Sequence, residues 1–267
     1  IYASVNVYKT ISKRDSVEDP DNIQYCSPIW DIDGSLEYWS DVVEVARVIL
    51  DELDKNGVSK SVFLKWSGRG IHIHIHERAF SREILQRHNP LDIAYSIVDY
   101  IIDKCKDKIL EIIKRSGKGE RPLRIENEMD LKRVFTVPLS LHKHLDLCAV
   151  CFKPNQIDEF NPEWARPDVM RHNKDWRLYV EGEADELAIK AIHEVGGYFG
   201  RVGEIRRVVQ AEPATRKTVS RRARSVKVGR FQVMALLQAA RYYLLTGDVK
   251  KAKSFGLNRA IFYAWAK

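Results

Sequence analysis

Ser67-Gly68-Arg69-Gly70-Ile71-His72-Ile73-His74-Ile75-His76 is the stretch from which the rest of the chain is best read. From Ile71 to His76 isoleucine and histidine alternate strictly, and a period of two belongs to a β-strand. The isoleucines then share one face and the histidines the other. A small cationic turn, Ser67–Gly70, feeds straight into that strand. Such a turn can bring backbone N–H groups, a hydroxyl and a guanidinium close to phosphate oxygens. Upstream, Trp30-Asp31-Ile32-Asp33-Gly34 puts two carboxylates, at i and i+2, on one face of a second short strand. Paired carboxylates and a phosphate clamp are the parts that metal-dependent nucleotidyl transfer needs.

The segments around these motifs define a fold. Between them, Val42, Val45, Ala46, Ile49, Leu50 and Leu53 recur at helical spacing, and Asn56-Gly57 stops the helix. Ser61 to Trp66 reads as a strand that the Ser67–Gly70 turn joins to the Ile/His strand. A strand–helix–strand unit followed by a hairpin predicts an α+β sheet with its helices on one side. Residues 1–10 read as the first strand, and 12–28 as a polar stretch with turn chemistry at Asp19-Pro20-Asp21-Asn22. A long helix is predicted from about Asp92 to Arg115, with Ile93, Ile97, Val98, Ile101, Ile102, Ile109, Ile112 and Ile113 on one face. Leu123–Glu126 reads as a further strand, and residues 152–180 as irregular chain. From Asp185 the pattern is helical, which divides the chain into domains 1–182 and 183–267, the second a small all-α domain.

The chain has 267 residues, enough for a substantial core, and is 45% hydrophobic and 30% charged, an ordinary globular composition. No run approaches the length of a membrane span, and no membrane partner is expected. Without an initiator methionine or a signal peptide, it reads as a piece of a longer chain. Four cysteines, Cys26, Cys105, Cys148 and Cys151, are too few for a secreted disulfide scaffold and point to a cytoplasmic protein. Cys148 and Cys151 are read as buried thiols, as a disulfide, or as a zinc site with His142 and His144. Zinc is the weakest of these, because four ligands crowded so closely leave little chain to fold around an ion.

The formal charge of +7 is local. Arg216, Lys217, Arg221, Arg222, Arg224, Lys227 and Arg230 supply seven positive charges, with no acid between Pro213 and Arg230. Such a stretch is either a solvated linker or the binding surface for a polyanion. Aromatic residues beyond it (Phe231, Tyr242, Tyr243, Phe262, Tyr263, Trp265) stand at helical spacing, which favours core packing over base stacking. Lys251 to Lys267 also has the length of a helix-turn-helix around Gly256.

Asp31 and Asp33 are hard oxygen ligands suited to Mg²⁺ or Mn²⁺ on a triphosphate. Glu126 is the best third carboxylate, with Glu128 and Asp130 as rivals. His72 can donate to a phosphate oxygen, with Arg69 and Ser67 beside it. His74 and His76 read as a solvated or cleft-lining polar face, with a His-x-His-x-His metal site as the rival reading. Arg133, Ser140, His142 and Lys143 form a second cationic and hydroxyl cluster that can hold template or triphosphate, or simply be a surface loop.

In this order the motifs resemble the archaeo-eukaryotic primase superfamily. The hydrophobic strand Ile29-Trp30-Asp31-Ile32-Asp33 is similar to the family's first motif, and Ser67 to His72 to its second. Glu126, followed by Arg133 to Lys143 with Pro138, Ser140, Leu141 and His142, is similar to its third. Tyr2-Ala3-Ser4-Val5-Asn6 resembles the family's opening strand. The likeness covers roughly residues 1–180 and is strongest to archaeal plasmid primase-polymerases and the archaeal primase small subunit. It implies an RRM-like catalytic sheet, with two Mg²⁺ or Mn²⁺ ions held by Asp31, Asp33 and Glu126. It implies that Ser67, Arg69 and His72 bind the triphosphate of an incoming NTP or dNTP, and that synthesis follows a single-stranded DNA template. Further domains of the same polypeptide, such as a helicase, are expected partners. The second motif is one residue shorter than Ser-Gly-x-Arg-Gly-x-His, and the third carboxylate is Glu where many members have Asp. The alternative reading is a replication initiator that binds DNA through the basic segment and carries a degenerate catalytic sheet. A nuclease using the same carboxylates is a second rival.

Overall fold

The computed structural model describes residues 1–117, 119, 121–201 and 208–209. In chain order its strands and helices are β1 (Tyr2–Ser4), β2 (Asn6–Tyr8), β3 (Ile23–Cys26), β4 (Ile29–Asp33), α1 (Trp39–Lys55), β5 (Val62–Trp66), β6 (Gly70–Ile75), α2 (Arg82–Arg87), α3 (Pro90–Arg115), β7 (Arg124–Asn127), β8 (Val134–Thr136), β9 (Val150–Phe152), α4 (Asp185–Val195) and β10 (Val208–Val209). Helices and an antiparallel sheet are mixed, as an α+β chain requires. Five strands run in the order β7-β4-β6-β5-β9, and β10 adds to the β7 edge. Helix α1 joins β4 to β5, and α2 and α3 join β6 to β7, a split β-α-β pattern.

Alternation sorts the two faces of this sheet. Trp30, Ile32, Leu64, Trp66, Ile71, Ile73, Ile75 and Ile125 point to one side and are buried. Helices α1 and α3 pack there, with Val42, Val45, Ala46, Ile49, Leu53, Ile97, Val98 and Ile101 in the same core. Trp30 Nε1 donates to the Val98 carbonyl at 3.2 Å, tying β4 to α3. The polar residues of the same strands face the other way. Asn89 caps α3 by accepting from the Leu91 amide, and Pro90 occupies its first turn. Gly57, at φ +77°, follows the end of α1 as the Asn-Gly stop predicts.

Three expectations need correction. The first strand is not continuous over residues 1–10. It breaks at buried Val5, so β1 pairs with β8 while β2 pairs with β3. Asn6 holds the break, donating to the carbonyls of Asp130 and Leu131. The domain boundary also moves. The chain divides into two units, Ile1–Pro213 and Ala214–Lys267, and every described residue belongs to the first. Helix α4 was expected in a separate all-α domain, but it packs on α3 within that first unit, burying Leu187, Ala188, Ala191 and Val195. Strand β10 likewise places sheet inside the stretch expected to be all helical. Arg216, Lys217, Arg221, Arg222, Arg224, Lys227 and Arg230, with the predicted helices after them, lie outside the described residues. Among the described residues no helix is long and apolar enough to cross a membrane.

The approach to α4 is fastened by Glu183. Its carboxylate accepts from the amides of Ser59, Lys60 and Ser61 at 3.1, 2.8 and 2.7 Å, at the start of β5. Burial pushes this carboxyl up, but the hydrogen bonds from Ser61, Ser59 and Lys60 outweigh it and leave it below the usual range. Replacing Glu183 with alanine strands three amide donors and is expected to cost about 1–2 kcal/mol. A urea melt checks this, and an unchanged midpoint contradicts it.

Candidate active site

The register of the sheet gathers chemistry-bearing residues that are far apart in sequence. Asp31 on β4 stands opposite His72 on β6 and opposite Glu126 on β7. His72 in turn stands opposite Lys65, and Lys65 opposite Cys151. One row across five strands therefore reads Cys151, Lys65, His72, Asp31, Glu126, all on the face turned away from α1 and α3. In the next row Asp33 stands between Gly70 and Arg124. Gly70 is required there, since a Cβ would come within 2.3 Å of the Ile32 carbonyl oxygen.

Two arginines hold the carboxylates. Arg124 donates from Nε and Nη2 to Asp33 Oδ2 at 3.2 and 2.7 Å, and from Nη1 to Glu126 Oε1 at 2.9 Å. Arg133 pairs with Glu128 and lies 3.5 Å from Asp31 Oδ2, its guanidinium 5.1 Å from the centre of the Phe135 ring. Asp31 Oδ1 is buried without a hydrogen bond, 3.3 Å from His72 Nε2 in unfavourable alignment. Burial, then the charge of Asp33, raises the Asp31 carboxyl to about 7, against the opposing pull of Arg133 and Arg124. Burial also pushes His72 well below the usual imidazole range, assisted by the charges of Lys65 and Arg133, so His72 is neutral at pH 7. Burial brings Lys65 down to about 8.

The Ser67–Gly70 turn closes on the other predicted cluster. Gly68 has φ +111°, and a Cβ there would come within 2.8 Å of His142 Cδ2, so the turn and His142 are in contact. His142 Nδ1 accepts from the amides of His144 and Leu145 at 3.1 and 3.0 Å, which leaves Nε2–H as the donor. A cleft of 460 Å³ joins the pieces, lined among others by Asp31, Asp33, Ser67, His72, Arg121, Arg133, His142 and Lys143. Its lining thus combines the carboxylates of Asp31 and Asp33 with the cationic groups of Arg121, Arg133 and Lys143 and the imidazole of His142. A larger groove of 710 Å³ runs beside Lys60, Lys153 and Tyr179, with Asp175 its one lining carboxylate among the described residues.

Other predicted residues stand back from this cleft. Glu126 is held behind Arg124. Arg69 does not line the cleft, although its charge, with those of His144 and Arg121, adds to burial in lowering His142. Ser140 is buried and donates to the Ile1 carbonyl at 3.3 Å. Ser67 does line the cleft, and its hydroxyl donates to the Gly70 carbonyl at 3.2 Å, leaving its lone pairs to accept. Asp130 accepts from the Lys132 amide in a turn after β7, apart from the carboxylate row. His74 and His76 are not solvated or cleft-lining. Both are buried, with His74 stacked on Phe63 at 4.5 Å and His76 on Tyr179 at 4.6 Å. Phe135 stands edge-on over His72 and His74, so β8 roofs this part of the sheet. Cys148 and Cys151 are free buried thiols, with Cys148 Sγ 3.1 Å from the Ala165 carbonyl and 3.3 Å from Met170 Sδ. Sequence reasoning missed Arg124, Arg121 and Lys65. The signal for Arg124 was present, since it precedes Glu126 by two residues and shares its face.

The donors present suit a hard divalent cation. Asp31 contributes a buried oxygen with no hydrogen bond, beside the carboxylates of Asp33 and Glu126. Four carboxylates (Asp31, Asp33, Glu126, Glu128) face two guanidiniums and the Lys65 ammonium, an unbalanced negative charge when all are ionised. As they stand, no three His, Cys, Asp or Glu side chains among the described residues are grouped closely enough to hold an ion. Arg124 occupies the space between Asp33 and Glu126. No family model matches the sequence, and no curated protein matches it.

Asp31 sets a pH dependence in chelator. Its folded pKa, about 7, lies above the ordinary value of 3.8, so the folded chain keeps a proton that the unfolded chain loses. Stability contributed by that proton is present at low pH, declines as pH rises between those two values, and is gone above about 7. Asp31→Asn is therefore expected to melt higher than the parent chain at pH 8, with the difference shrinking towards pH 4. A lower melting temperature for the variant at pH 8 contradicts this.

Proposed function

We propose that this chain carries the catalytic part of a DNA primase-polymerase of the archaeo-eukaryotic primase superfamily, extending a strand from NTP or dNTP on a single-stranded DNA template. The observation that carries the reading is the row Glu126–Asp31–His72, with the Ser67–Gly70 turn, His142 and Lys143 around the adjoining cleft. Segments from three separate parts of the sequence meet there, which supports the reading. The strand order β7-β4-β6-β5, with helices on one face, supports an RRM-like catalytic sheet.

The chain's own groups divide the work. Lys143, Arg121 and the Nε2–H of His142 bind triphosphate oxygens in the cleft. Neutral His72, lining the same cleft with Nε2 3.3 Å from Asp31 Oδ1, offers an N–H to the triphosphate. Arg133, fixed by Glu128 and Phe135, holds Asp31 in place. Asp31, Asp33 and Glu126 are the residues that would hold two Mg²⁺ or Mn²⁺ ions. Such ions lower the pKa of an attacking 3′-hydroxyl and offset charge on the leaving pyrophosphate. Binding the nucleotide within one cleft aligns it for in-line attack. The basic residues from Arg216 to Arg230 bind the template backbone, which makes DNA affinity steeply salt-dependent. The enzyme works in the cytoplasm in DNA replication, alongside further domains of the same polypeptide.

Single-stranded template, Mn²⁺ and labelled nucleotide test the proposal directly. The parent chain is expected to incorporate nucleotide, and Asp31→Ala to lose at least about a hundredfold in rate with its circular dichroism unchanged. Full activity in the folded variant removes Asp31 from the mechanism. DNA binding without incorporation by the parent chain favours an initiator, and degraded template favours a nuclease.

A further inference from the structure

We propose that Arg124 is a built-in counter-cation: it holds Asp33 and Glu126 together while no metal is bound and gives up Asp33 when a divalent ion enters. The proposal rests on the nucleotidyl-transfer reading for the choice of Mg²⁺ or Mn²⁺ as the ion and for Asp33 and Glu126 as its ligands. One guanidinium spans two carboxylates from neighbouring strands, making two hydrogen bonds to Asp33 Oδ2 and one to Glu126 Oε1. Those oxygens are among the ligands a cation would need, so Arg124 and the ion compete for the same charge.

The two arginines of the site differ in their freedom to leave. Arg133 is fixed on three sides, by Glu128, Asp31 and the face of Phe135. Arg124 is 36% exposed against 29% for Arg133, has no aromatic face over it among the contacts described, and bonds to carboxylates alone among the polar contacts described for it. It can therefore turn out into solvent without disturbing the core, which lies on the opposite face of the sheet. Strand pairing holds the backbones of Asp33 and Glu126 whether or not the guanidinium is present. Arg124 is in this sense a positioning residue whose removal leaves the ligands in place and raises the negative charge around them.

Calorimetric titration with Mn²⁺ alone tests this, on the parent chain, Arg124→Gln and Arg124→Lys. Arg124→Gln is expected to bind Mn²⁺ about tenfold more tightly than the parent chain. Without metal it should melt lower, and it should gain more in melting temperature on adding Mn²⁺. Arg124→Lys keeps the charge but cannot bridge both carboxylates, so an intermediate tightening is expected, and it carries the test if the glutamine variant does not fold. Unchanged or weaker Mn²⁺ binding in the folded variants overturns the proposal, whatever the catalytic activity. Tighter binding in variants of a parent chain that incorporates no nucleotide sustains the Arg124 assignment and counts against the polymerase reading alone.

Discussion

The register of β4 between β6 and β7 is the constraint on which the rest of the structure depends. It sets Asp31 opposite both His72 and Glu126, and Asp33 opposite both Gly70 and Arg124. Side chains on a strand alternate, so a slip of one residue would turn Asp31 and Asp33 into the core and Trp30 and Ile32 out of it. The buried Ile71, Ile73 and Ile75 on β6, the Trp30 hydrogen bond to α3 and the close approach of Gly70 to Ile32 all oppose that slip. Packing on the helix-covered face thus specifies the chemistry on the other face.

That chemistry is costly to fold. Carboxylates set close together on a partly buried sheet repel one another and lose hydration. Arg124 and Arg133 offset part of the charge, each bridging carboxylates from more than one position. Asp31 keeps its proton up to about pH 7, and His72 stays uncharged beside it. Deprotonation of Asp31 above about pH 7 leaves four carboxylates against two guanidiniums and the Lys65 ammonium, the net negative charge on which the proposed divalent-ion site rests. Arg121, His142 and Lys143 line the same cleft, and it is on them that the proposed binding of the nucleotide's triphosphate rests.

Much of this is legible in local patterns. The Ile/His alternation specifies β6 and both of its faces, and helical spacing places α1 and α3 nearly to their ends. Asp31-x-Asp33 and Glu126 are strand residues whose face follows from the period of two. The misses come from information that is not local. Nothing in Tyr2–Tyr8 marks the break at Val5, because it depends on two different partner strands and on the Asn6 bonds to Asp130 and Leu131. His74 and His76 read as solvated because period two separates faces without saying what covers each one. Here Phe63, Phe135 and Tyr179 do. Helix α4 looks like the start of a new domain by composition, but it belongs to the first unit through its packing on α3. Arg124 is visible as a neighbour of Glu126, while its bond to Asp33 exists only once β4 and β7 pair.

The proposed metal-binding centre of the nucleotidyl-transfer site is Asp31, Asp33 and Glu126. Anomalous diffraction from crystals soaked with Mn²⁺ and a non-hydrolysable deoxynucleoside triphosphate tests it most directly. Manganese peaks bonded to oxygens of Asp31 and Asp33, with the triphosphate running towards His142 and Lys143, are the predicted result. Nucleotide bound with manganese away from the Asp31 row, or neither bound in the cleft at saturating concentration, would contradict it.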